Sequence, residues 1–155
     1  MVNANSQPSP MVSSPKLTAD GSTVFQDPTL FRQVVGALQY LTFTRPDITF
    51  AVNKVSQYMH NPQLHHWKAV KRILRYVAGT HSHGLRFTSC KSFSVHAFAD
   101  ADWGSDTDDR KSTTRFCIYL GSNLITWSSK KQHVVSRSST KAESRSIAAV
   151  ATDVS

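Results

Sequence analysis

Two carboxylates stand out by where the pattern places them. Asp100 closes the alternating run Phe93-Ser-Val-His-Ala-Phe-Ala-Asp100 and leads into Ala101-Asp102-Trp103. A carboxylate at a strand end, on the same face as Phe98, sits where oxygen ligands hold a hard cation. Aspartate is equally at home in a turn, where it bonds its own backbone, and Asp106, Asp108 and Asp109 read as turn residues. Glu143 carries two readings as well. Thr140-Lys-Ala-Glu143 has the form of a capping box. Its spacing of four and seven to Ile147 and Val150 instead places it on the packed face of a helix, toward a sheet. A buried acid there costs energy unless it is paired, bonded or metal-bound.

A third group is cationic. Lys68, Lys71, Arg72 and Arg75 project from one side of a helical pattern that contains no acid. Such a face is commonly just solvated, but it lacks the mixed-sign pairs that support ordinary surface helices. A phosphate backbone would neutralise it, with strongly salt-dependent affinity. Other chemistries find no support. The seven histidines, His65-His66 and His81-Ser-His83 among them, lack the coupled spacing of a zinc site, and read as surface or capping residues. Cys90 and Cys117 read as packing residues. Ser136-Arg-Ser-Ser139 is a cap region without a nucleophile elbow, and no phosphate-binding glycine loop is present.

The elements that position these groups follow from periodicity. The 155 residues, 39% hydrophobic, suffice for one domain or parts of two. Residues 1–27, rich in Ser, Pro, Asn and Thr, read as an extended arm or linker. Residues 28–80 read as three helices. The first starts at Asp27-Pro28 with Leu30, Val34, Leu38 and Leu41 as its stripe and Phe31 and Val35 beside them; it breaks at Thr44-Arg45-Pro46. The second carries Ile48, Val52, Val55 and Met59. The third turns Trp67, Val70, Ile73, Leu74 and Val77 inward and ends near Gly79. Residues 81–155 switch to strands: 93–100, then about 115–120, then 124–128 after the hairpin signal Gly121-Ser-Asn123, with a continuation expected at 132–136. A helix follows from Thr140. The expected class is α+β. The formal charge of +8 is concentrated: residues 29–91 hold nine basic residues against Asp47 alone, which suggests a polyanionic partner. No run approaches the ~18 apolar residues of a membrane span. No secretory signal is visible and two lone cysteines fit a reducing compartment, so an intracellular place is expected and no membrane.

Several motifs in one order are similar to the copia-type retrotransposon Pol polyprotein. They are Phe31-Arg-Gln-Val-Val-Gly36-Ala-Leu-Gln-Tyr-Leu41, Arg45-Pro-Asp-Ile48, Val52-Asn-Lys-Val-Ser-Gln57, His66-Trp67, and Lys71-Arg-Ile-Leu-Arg-Tyr76 with Gly79-Thr80. The series continues with Asp100-Ala-Asp-Trp103, Asp109-Arg-Lys-Ser-Thr113, Ile125-Thr-Trp-Ser-Ser-Lys-Lys131, and Ser136-Arg-Ser-Ser-Thr140 through Ala142-Glu143. The resemblance implies a helical reverse-transcriptase thumb or connection region over 28–80. It implies the first half of a ribonuclease H-like domain over 81–155, with three antiparallel strands and one helix. It further implies that Asp100 and Glu143 are two of the carboxylates holding catalytic Mg2+ or Mn2+, in a site that clamps the reacting oxygens between two ions ~4 Å apart. The implied substrate is RNA in an RNA–DNA hybrid, gripped through its phosphates by the basic helices. The chain departs from the family at Arg115, where Gly is usual, and at Ser144, where Tyr is usual. The resemblance places the family's further metal-binding Asp beyond residue 155 and its polymerase aspartates before residue 1; it places the remaining sheet strands outside these residues too, so the strand bearing Asp100 is expected to keep an unpaired edge. The expectation is therefore an incomplete enzyme, inactive or barely active and holding little or no metal, whose partners are nucleic acid and the rest of the polyprotein. The alternatives are a non-catalytic nucleic-acid-binding module or a functionless remnant.

Overall fold

The computed structural model describes residues 5–90 and 92–154. Among them are four α-helices and one three-stranded antiparallel sheet, so the chain is mixed α/β. It divides into two compact units, the first ending at Gly84 and the second beginning at Leu85.

In the first unit, α1 (Pro28–Leu41) starts where Asp27 Oδ1 accepts the Leu30 amide at 2.9 Å. Pro28, lacking an N–H, costs nothing in the first turn. The buried line is Phe31, Val35 and Leu38, whereas Leu30 is exposed, so the stripe is rotated by one residue from the Leu30–Val34 line. Pro46–Ile48 forms a 3-10 turn that runs directly into α2 (Thr49–Ser56), and Ile48 joins the core from that turn. The third helix, α3 (Leu64–Gly79), buries Val70 and Ile73, with Trp67, Leu74 and Val77 half-buried around them.

Among its described residues the arm has no helix, and its one strand-like contact there is a bridge between Val24 and Gln63. It is nevertheless docked, because its backbone groups find side-chain partners. Tyr58 Oη donates to the Leu17 carbonyl at 2.9 Å. Gln63 donates to the Ala19 carbonyl at 2.7 Å and accepts the Ser22 amide at 2.9 Å. Phe25 stacks on Trp67 with centroids 4.8 Å apart. His66 is fully buried against Tyr58; its Nδ1 accepts the Gln63 amide and its Nε2 bonds the Thr18 carbonyl. This histidine is core as well as cap.

In the second unit the strands are β1 (Val95–Asp102), β2 (Thr113–Leu120) and β3 (Asn123–Lys131), in the order β1-β2-β3. The edge position of β1 is as expected. The third strand runs unbroken through Lys130-Lys131, and residues 132–136 are not a further strand. Gln132 turns inward instead, donating to Thr114 Oγ1 and to the Ala142 carbonyl, both at 3.0 Å. The β2–β3 hairpin needs Gly121: its φ is +59°, and a Cβ would meet Cys90 Sγ at 2.7 Å and the Ser92 carbonyl at 2.9 Å. The acidic turn is neutralised internally. Asp106 is buried, and Lys131 Nζ lies 2.9 Å from both Asp106 and Asp109.

The fourth helix, α4 (Ser139–Val154), starts one residue earlier than expected. Ser138 Oγ caps it by accepting the Lys141 amide at 3.3 Å, so Thr140 and Glu143 form no capping box. Its buried face is Ala142, Ser146 and Val150. Small side chains bring it close to the sheet, with Ser146 Oγ donating to the Asp100 carbonyl at 2.7 Å. Glu143 and Ile147 therefore point away from the packed face, which overturns the placement of Glu143 toward the sheet.

Candidate nucleic-acid interface and carboxylate pair

Asp100 lies on β1 directly opposite Arg115 of β2. Opposed residues of an antiparallel pair share a face, and Arg115 Nη2 stands 3.1 Å from Asp100 Oδ2 and 3.8 Å from Asp102 Oδ2. The Asp100 side chain is 68% exposed. Glu143 is exposed on the first turns of α4 and makes no hydrogen bond or ion pair among the described residues. Thus Asp100 and Glu143 are not brought into contact, and no three His, Cys, Asp or Glu side chains gather to hold a metal ion among those residues. A divalent ion does not fit this arrangement: one carboxylate already faces a guanidinium and the other stands apart.

The cations of α3 differ in availability. Lys68 is exposed, while Lys71, Arg72 and Arg75 are half-buried. Arg72 is committed to the arm, its Nε donating to the Ser9 carbonyl at 3.1 Å and its Nη2 to Ser9 Oγ at 3.0 Å. A second surface was missed by counting charges. Arg32, Gly36 and Tyr40 recur every four residues on the exposed side of α1, and Phe43 follows. Tyr40 and Phe43 are 78% and 73% exposed and meet edge-to-face at 5.9 Å. Gly36 costs a helix interior about 1 kcal/mol relative to Ala. Nothing in the fold requires it, because its φ is not left-handed and a Cβ there would meet open space. A bare stretch of helix backbone thus lies between a cation and an aromatic pair. The legible signal was a mid-helix Gly with an aromatic at the wrong phase for the core.

Among the described residues, no helix is long and apolar enough to cross a membrane. No protein-family model matches the chain, and no solved structure is significantly similar to it. It is 54% identical over 148 residues to the retrovirus-related Pol polyprotein from transposon RE2 of Arabidopsis thaliana, an alignment covering 96% of this chain and 10% of that protein. To the corresponding polyprotein from transposon TNT 1-94 of Nicotiana tabacum it is 41% identical, covering 73% of this chain and 8% of that protein. An uncharacterized mitochondrial protein of Arabidopsis thaliana is 51% identical over 140 residues, 90% of this chain and 58% of its own length. The chain spans about a tenth of the length of the polyproteins it matches. With this identity across nearly its whole length, the chain belongs to the Pol polyproteins of copia-type transposons.

Proposed function

We propose that this chain is the thumb or connection region of a copia-type reverse transcriptase together with part of the adjoining ribonuclease H-like domain. Its work is to grip an RNA–DNA hybrid inside the cell, alongside the rest of the polyprotein. The observation that carries this reading is the exposed strip of α1, where Arg32, bare backbone at Gly36 and the Tyr40–Phe43 pair share one side. A duplex offers that strip phosphates for the cation and a sugar-lined groove against which the bare backbone and the rings can pack. The concentration of charge in residues 29–91 adds the long-range attraction.

The intact polyproteins of the family, in which Gly is usual at the position of Arg115, are proposed to cleave RNA in hybrids with Mg2+ or Mn2+, with the carboxylates at the positions of Asp100 and Glu143 contributing to the site. In this chain the two do not assemble one, so the chain alone acts as a non-catalytic binding module. Hybrid binding followed by fluorescence anisotropy tests the reading. Affinity is expected to fall steeply with salt. Gly36→Ala is expected to leave the fold intact, or stabilise it by up to about 1 kcal/mol, while weakening binding about tenfold. A flat salt dependence, with Gly36→Ala binding as the parent does, would overturn it. Cleavage of a labelled hybrid with Mg2+ is expected to be absent; robust cleavage abolished by Asp100→Asn would restore the enzyme.

A further inference from the structure

Resting on the reading of Asp100 as a metal-type carboxylate, we infer that Arg115 is a tethered counter-ion that occupies the cation's place at Asp100 and Asp102 and keeps divalent metal off this strand. Strand register carries the argument. Asp100 and Asp102 are two residues apart, so both side chains emerge on one face of β1. Arg115, opposite Asp100, emerges on that same face, and a single Nη2 atom reaches toward both carboxylates, at 3.1 and 3.8 Å. The guanidinium is a planar, charged fork whose donors match carboxylate oxygens. A divalent ion entering here must displace the guanidinium or sit beside it against like-charge repulsion.

The fold does not depend on this pair. The Arg115 and Asp100 side chains are 41% and 68% exposed, and exposed ion pairs contribute little to stability. The guanidinium therefore acts on what the carboxylates bind and not on whether the sheet forms.

The test is Mn2+ titration into the full chain, with free Mn2+ read by electron paramagnetic resonance. Arg115→Gln and Arg115→Thr, the second a favoured strand residue, are each expected to bind Mn2+ at least about tenfold tighter than the parent, or about 1.4 kcal/mol. Arg115→Lys is expected to match the parent, and Asp100→Asn added to Arg115→Gln to cancel the gain. Circular dichroism of each variant confirms the fold, and Arg115→Thr decides the matter if Arg115→Gln does not fold. Neutral variants that bind no tighter than the parent would overturn the inference. If the parent itself binds Mn2+ and Asp100→Asn removes it, the carboxylate reading stands and the counter-ion falls. If no variant shows Asp100-dependent binding, both fall.

Discussion

Arg45 is nearly sealed from water, yet it carries a full charge. Its Nε and Nη2 donate to the two Asp47 oxygens at 2.9 and 2.7 Å, and its Nη1 and Nη2 donate to the carbonyl and hydroxyl of Thr80 at 3.0 and 2.7 Å. Tyr76 Oη donates to the same carboxylate at 2.8 Å. The group ties the α1–α2 break to the end of α3. Hydrogen bonding from Arg45 holds the Asp47 carboxyl below its ordinary range, against burial, and Asp47 in turn holds the Arg45 guanidinium above its own. Because the folded value of Asp47 is depressed, its contribution is whole above the ordinary carboxylate range and is lost as pH falls through the folded value. Asp47→Asn is expected to cost about 2 kcal/mol at pH 7, since it strands a buried cation. Melting curves from pH 7 to 2 check this: parent and variant should differ most at neutral pH and converge below about pH 4. A constant gap across that range would contradict it. The pair was readable as the motif Arg45-Pro-Asp47, but its burial was not, since Thr80 lies 35 residues away.

At the scale of elements, short-range signals predicted well and long-range partners did not. Asp27-Pro28 set the start of α1, because a cap and its amide are three residues apart. Ser138, not Thr140, caps α4, because where the helix begins depends on how closely Ala142 and Ser146 approach the sheet. That two-residue shift of the cap leaves Glu143 outside a capping box. The arm likewise looked like a linker because its partners lie more than 40 residues on. Gln63→Ala, which strands the Ser22 amide and the Ala19 carbonyl, is expected to cost about 2 kcal/mol and to alter Trp67 fluorescence through the Phe25 stack. Unchanged fluorescence with a lower melting temperature would mean that the arm stays docked without Gln63. Gly121→Ala is expected to destabilise the second unit by roughly 1–3 kcal/mol, read as faster amide exchange in β2 and β3 than in α1.

For the whole molecule, charge distribution decides more than total charge. The +8 excess sits in residues 29–91, but its members do different work. Exposed Lys68 is available to phosphate, whereas Arg72 fastens the arm. Lys68→Ala is therefore expected to reduce the salt slope of hybrid binding by about 1 with the melting temperature unchanged. Arg72→Ala is expected to lower the melting temperature. Equal effects of the two on the slope would show that charge count alone governs binding.

The amino-acid sequence by itself determined the family, the order of helices and strands, the cap of α1, the hairpin at Gly121 and the placement of the charge. All of these rest on periodicity, on residue chemistry within a few positions, or on motifs in order. Only the tertiary structure decided which cations are free, which face of α4 is buried, that Gly36 opens onto empty space, and that Arg115 meets Asp100. Those depend on cross-strand register and on helix rotation by a single residue. Because side chains alternate every second residue in a strand and turn by 100° per residue in a helix, one step of register exchanges a metal-type carboxylate for an ion pair.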